Sequence, residues 1–254
     1  MKALSFILLQ IVLLIGGAAN ADNRWEILKP GAIRWEPINS LPHHDHIEMS
    51  GKYISAVLKY EVTEQKNLRL NRTLVFPMLR TLPNNTHASF TRACNLDIIS
   101  MLSINKKAVM DEKVIDVVLD GMVHINSFLS QDVILSRTIC PSVDKPLLCE
   151  KYAITNKGDK PVYIEVPEFS AGIESDSTMG VDGSYKLLAK VMNSGSKRLV
   201  SGETLTFYLV FYGSKSGMDM GFIETDKELL KRQSFIDQIS NELILETPSE
   251  VLNN

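Results

Sequence analysis

The 254-residue chain is expected to be all-β: a large antiparallel two-sheet sandwich, a supersandwich, followed by one C-terminal connector helix. Three observations predict it. Apolar residues recur with a period of two through most of the chain, short polar turns separate these runs, and strands never alternate with helical patterns.

The elements follow in chain order. Lys2 precedes an apolar run from Ala3 to Gly17, and Ala19-Asn20-Ala21 reads as a small-residue cleavage site, so 1–21 is expected to be a signal peptide. The run is shorter than the roughly 20 residues that span a bilayer, and no later segment is apolar enough to cross one. The remaining 22–254 would be exported to the periplasm or secreted, with no membrane attachment. Their length suits one large sandwich better than an immunoglobulin-sized one, so 22–224 is read as a single β-domain.

"KYISAVLKYEV" alternates cleanly, with Ile54, Ala56, Leu58, Tyr60 and Val62 on one side. "TEQKN" supplies a turn and "LRLNRTLVF" resumes with Leu68, Leu70, Leu74 and Phe76, a hairpin signal. "VIDVVLDGMVHI" places Ile115, Val117, Leu119, Val123 and Ile125 opposite Asp116, Asp120 and His124. "SRTIC", "CEKYAITN", "PVYIEVP" and "YKLLAKVM" follow at short spacings. "LTFYLVFYG" is apolar on both sides, as in a central, doubly covered strand. Thr225-Asp226-Lys227-Glu228 then fits a capping box, with Leu229, Ile236, Ile239 and Leu243 at helical spacings, so a helix from Thr225 to Leu245 is expected. Its stripe must be buried against the sandwich or against whatever follows.

Composition excludes some functions. The formal net charge is -3, without acidic or basic blocks, so a nucleic-acid partner is not expected. Among the three cysteines, Cys140 and Cys149 flank "PSVDKPLL" between two strand-like runs, and either a hairpin bridge between them or three unpaired thiols fits, Cys94 then acting as a small hydrophobe. No nucleophile elbow, phosphate loop, dinucleotide fingerprint or zinc-protease helix occurs.

Three of the five histidines fall in "LPHHDHIEMSG". In an extended strand His44, His46 and Glu48 would share a side, but zinc needs three or four converging ligands, and no other histidine has a reason to join them. The run is read as a loop entering the sandwich, holding neither metal nor cofactor. Asp120 and His124 on one strand face are candidates to contact carbohydrate. "NNTHASF" offers His87, which with His124 could supply the groups a mutarotase needs near neutral pH, but that role commonly pairs His with Glu and no matching Glu stands out, so His87 is read as a surface side chain. Trp25 and Trp35 are expected to pack under the first strand rather than stack on sugars.

"HHDHIEMSGKYISAVLKYEV", "LRLNRTLVFPMLRTLPNNTHASF" and "ELILETPSEVLN" together resemble the N-terminal β-sandwich of exported six-hairpin glycosidase-like proteins, related to glycogen-debranching-type and rhamnosidase-type glycoside hydrolases. The resemblance covers essentially all of 22–254. It implies a supersandwich, a linker helix and an (α/α)6 barrel that carries the catalytic carboxylates. This sequence stops at Asn254, so 225–254 is read as the linker helix and tail leading to a barrel it does not include. The implied function is a non-catalytic domain that supports or shapes access to such a barrel, inactive alone, with Asp45 and His46 facing sugar or partner. A free-standing periplasmic carbohydrate-binding module is the alternative, and a mutarotase-type sugar epimerase a third.

Overall fold

The computed structural model describes residues 24–28, 31–38, 41–85, 88–219, 221–242 and 247–248. The expected signal segment lies outside them, as do His87, Leu243 and Leu245. The first hairpin is β1 (Trp25–Leu28) and β2 (Ala32–Trp35). β3 (His43–Ser50), β4 (Ser55–Val62), β5 (Leu68–Arg80) and β6 (Ser89–Cys94) form a four-stranded antiparallel sheet in sequential order. Two short strands follow, β7 (Ser103–Ile104) and β8 (Lys107–Ala108), and then a meander of β9 (Lys113–Leu119), β10 (Val123–Ser130), β11 (Val133–Pro141) and β12 (Leu147–Asn156). The rest comprises β13 (Val162–Val166), β14 (Ser170–Glu174), β15 (Tyr185–Met192), β16 (Gly195–Leu199), β17 (Thr204–Lys215) and one helix, α1 (Thr225–Ser240).

These strands make a nine-stranded sheet, β1-β2-β9-β10-β11-β12-β17-β15-β14, and a second four-stranded sheet, β16-β13-β7-β8. The expected sandwich is present, built of three sheets rather than two. One core joins them: Leu58, Leu74 and Phe76 from the first small sheet, Ile164 and Leu199 from the second, and Leu135, Ile154, Phe207 and Phe211 from the large one. β17 lies between β12 and β15 and is buried on both sides, Phe207, Leu209 and Phe211 inward and Tyr208 and Val210 outward. The outward side is covered by α1 and its approach, where Tyr208 meets Leu229 and Val210 meets Ile223.

Three expectations are corrected. The histidine run is not a loop; it is the edge strand β3, paired residue by residue with β4 from His43↔Val62 to Ser50↔Ser55. Its outward side chains tolerate water, while Met49 and Ile47 supply the inward contacts that hold the strand down. "VIDVVLDGMVHI" is not one strand face but a hairpin. Asp120-Gly121 forms its turn, with Gly121 at φ +93°, a conformation a glycine adopts without steric cost. A bulge then leaves Ile115 as the extra residue between Asp116↔Asn126 and Val114↔Ser127, so that Val114, not Ile115, is buried.

The capping box is the third. Glu224, in an extended conformation, is the N-cap, and its carbonyl accepts from the amides of Lys227 (3.0 Å) and Glu228 (3.2 Å). Thr225 is buried inside the first turn, its hydroxyl donating to Met192 Sδ at 3.8 Å. Glu228 does not return to the cap because it has stronger donors in Ser142 and Lys145.

Candidate functional site

Charged groups lie deep in the sandwich at positions whose neighbours two residues away are apolar. Arg72 on β5 reaches across the core to Glu150 on β12, through Nε and through Nη2 (2.7 Å to Oε2), while Nη1 donates to Leu96 O at 3.1 Å. Tyr152 Oη donates to the same Glu150 Oε2 at 2.6 Å. Beside it, Arg137 Nη2 donates to Glu112 Oε2 at 2.8 Å, and Ser127 Oγ donates to Glu112 Oε1 at 3.0 Å. The two arginine side chains are only 2% and 3% exposed, so each pair has left water almost completely. Burial works against both guanidinium charges, but the facing Glu150 and Glu112 outweigh it and hold both pKa values above the ordinary one.

Strand register builds the aromatic backing. Arg137, Tyr152 and Phe207 are successive partners across β11, β12 and β17. The Tyr152 and Phe207 rings stack at 4.7 Å and 11°, and Arg137 Cζ lies 4.9 Å from the Tyr152 centroid. A cavity of about 240 Å³ opens beside these groups, with Glu112, Tyr152 and both arginines on its walls and Asn95 and Leu70 among its other lining residues. Arg137 Nε is buried and has no hydrogen-bond partner.

The sequence-derived candidates fall elsewhere. Asp120 and His124 do meet, across the β9–β10 turn rather than along one strand. His124 Nε2 is 3.1 Å from Asp120 Oδ1, and its Nδ1 is 3.1 Å from Thr138 Oγ1 on the neighbouring strand. Burial pushes the Asp120 carboxyl up, but the hydrogen bond and charge of His124 outweigh it and hold the pKa below the usual value. The polar ladder continues across the outer sheet face, where Asn126 donates to Asp116 (2.7 Å) and Ser136 donates to Asn126 (2.8 Å). The arrangement can hold and orient a proton at His124. Asp45 and His46 are exposed on β3; Asp45 Oδ1 accepts the His46 amide at 2.7 Å, and the His46 ring nitrogens lie 3.8 and 3.9 Å from Asp45 and Glu48. His43 points to the side opposite His46, stacked on Trp35 at 4.5 Å with Nε2 3.1 Å from Tyr60 Oη, and burial lowers its pKa. Trp35 is buried as expected, while Trp25 is half-exposed. Among the described residues no group of three or more His, Cys, Asp or Glu is placed to hold a metal ion.

Cys140 and Cys149 are directly opposed in the β11–β12 register, both fully buried and both unbridged. Burial pushes the Cys140 thiol up to about 12 and the Cys149 thiol well above its ordinary value; half-buried Cys94 is raised by burial too. Thiolate is the reactive form, so neither member of the pair should react with iodoacetamide in the native protein. In urea without reductant both should be alkylated, read by peptide mass spectrometry. Unlabelled peptides under that condition would show a bridge instead.

The helix is fixed to the outer face of the large sheet through one side. Leu229 packs with Met122, Cys140 and Tyr208, and Ile236 joins them. Arg232 donates to two backbone carbonyls, Ser50 O (2.8 Å) and Gly121 O (3.0 and 3.3 Å). Lys145 Nζ and Ser142 Oγ donate to Glu228 at 2.7 and 2.6 Å, and Lys151 and Tyr208 donate to Asp226 at 2.8 and 2.6 Å. The predicted stripe is therefore partly covered by the chain's own sheet; Ile239 is 49% exposed. The opposite side carries Leu230, 67% exposed, and Phe235, which face a groove shared with Val143 and Asp144.

Burial pushes the Glu228 carboxyl up, but the hydrogen bonds from Lys145 and Ser142 outweigh it, so its folded pKa lies below the ordinary 4.5. A depressed folded pKa gives stability that is complete above the unfolded value and is lost as pH falls through the folded one. The difference in thermal midpoint between the wild type and Glu228→Gln should accordingly be constant at neutral pH and shrink below pH 4.5. A difference independent of pH would contradict the charged contact.

No protein-family model matches the chain, and no curated protein matches it. One matching solved structure is described as a kojibiose phosphorylase from the human microbiome, with a TM-score of 0.37, 8% sequence identity, and coverage of 85% of this chain and 36% of that one. The chain thus spans about a third of that protein's length.

Proposed function

We propose that the chain is a non-catalytic β-sandwich domain of an exported carbohydrate-active enzyme, supporting a helical catalytic domain and shaping access to it. One observation carries the docking role: α1 is fixed by Leu229, Glu228 and Arg232 and presents Leu230 and Phe235 on its other side, with Ile239 half-exposed. A helix anchored to a sheet through one face and apolar on another suits a second helical layer, because packing side chains between helices removes that surface from water. The carbohydrate class comes from the resemblance of "IEMSG", "FPMLRT" and "LETPSEVLN" to glycosidase-associated sandwiches.

The test uses the isolated chain. With its partner absent, the exposed face should drive concentration-dependent self-association in sedimentation velocity. Leu230→Glu with Phe235→Glu should abolish it without lowering the thermal midpoint, since these side chains lie outside the core. A strict monomer at the highest soluble concentration would contradict the docking role. Turnover of aryl glycosides by the purified chain would contradict the non-catalytic one.

A further inference from the structure

We infer that the cavity beside Arg72 and Arg137 is a binding site for a small, neutral, polyhydroxylated ligand on the scale of one sugar ring. Its size is the first argument. At about 240 Å³ it exceeds the roughly 30 Å³ that one water occupies in the liquid several-fold, yet falls short of the 300–1,000 Å³ typical of pockets for drug-sized molecules.

Charge balance is the second. Each buried arginine is already matched by a carboxylate, Arg72 by Glu150 and Arg137 by Glu112. An incoming anion would be repelled by those carboxylates, and by Asp97 on the pocket wall, or would have to displace one of them. A cation would meet Arg72, Arg137 and Arg69 on the same wall. A neutral group avoids both costs.

Hydrogen-bonding capacity is the third. Arg137 lines the pocket, so its guanidinium edge stands beside the space together with Glu112. Each Glu112 oxygen accepts one hydrogen bond, from Ser127 or from Arg137, and a carboxylate has about four acceptor sites in all. A hydroxyl is the neutral group that suits such a mixed wall, because its oxygen can accept from a guanidinium N–H while its proton is donated to a carboxylate. Several hydroxyls on one ring would use the set together, and Leu70, Leu96 and Ile98 on the remaining wall suit the C–H surface of such a ring.

The site lies on the inner face of the large sheet, whereas α1 covers the outer face, so this inference and the docking role can fail separately. Saturation-transfer NMR on the intact chain with glucose, galactose, mannose and rhamnose as probes tests it, inorganic phosphate serving as competitor. At least one sugar should receive saturation, phosphate should not displace it, and Asn95→Trp, which fills the mouth from an exposed position, should weaken binding roughly tenfold or more. If Asn95→Trp does not fold, the smaller Asn95→Phe at the same exposed position makes the same test. No transfer to any sugar, displacement by phosphate, or binding unchanged by the mouth substitution would overturn the assignment.

Discussion

Replacing Glu150 with alanine should lower the unfolding free energy by about 3–5 kcal/mol, the cost of leaving a buried guanidinium without its partner. Arg72 is 2% exposed and directs two of its nitrogens at Glu150, and Tyr152 loses its acceptor in the same substitution. Water cannot substitute fully, because Phe211 lies against the guanidinium, its centroid 5.6 Å from Cζ. Urea denaturation would read the loss as a lower midpoint at unchanged slope. Replacing both partners, Arg72→Met with Glu150→Leu, should be less damaging than the sum of the single changes, since buried pairs often exchange for apolar residues at little cost. A Glu150→Ala protein within about 1 kcal/mol of wild type would mean that the pair is not desolvated as described.

Arg232→Ala should cost about 1.5–3 kcal/mol, the range for hydrogen bonds made by a charged group. The loss should be concentrated on α1. Arg232 ties the helix to two separate places, the end of β3 at Ser50 and the β9–β10 turn at Gly121, and its removal takes the donor from both carbonyls at once. Helix and turn are close-packed here: a Cβ on Gly121 would stand 2.8 Å from Ile236 side-chain atoms. Arg232→Lys should recover only part of the loss, because one ammonium cannot reach both carbonyls with a planar fork. Circular dichroism would separate detachment, in which helix signal falls and sheet signal stays, from global unfolding.

The strand pairs were legible wherever alternation was uninterrupted. Ile54, Ala56, Leu58, Tyr60 and Val62 are all buried, as their spacing requires, and the doubly apolar "LTFYLVFYG" is the covered strand β17. Where the reading failed, a local rule competed with periodicity. Asp120-Gly121 is a hairpin signal inside a run that also alternates, and the turn brings Asp120 within 3.1 Å of His124, a contact that one straight strand cannot make. Thr225 fits the capping pattern, but the tertiary partners of Glu228 decide its orientation. Pro42 and three polar histidines suggest a loop, yet pairing with β4 needs only backbone groups and the inward side chains.

The interior site left a signal that hydropathy counting passes over. Arg72 falls in phase with Leu70 and Leu74, Arg137 with Leu135 and Ile139, and Glu150 with Leu148 and Tyr152. A charged residue at a core-facing position must be paired or exposed to a cavity, and here all three are paired beside one. Which charge pairs with which was not legible, because Arg72 and Glu150 are 78 residues apart and meet only across the core.

Native-state hydrogen exchange of α1 tests the central claim, a helix clamped to the sandwich by one face, most directly. Amides of Thr225–Ser240 beyond the first turn should open with free energies approaching those of β12, and Arg232→Ala should lower the helix values while leaving β12 largely protected. Exchange of α1 at the rate of an unstructured peptide in the wild-type protein, with β12 fully protected, would show that the helix is not docked and would remove the surface on which the proposed function rests.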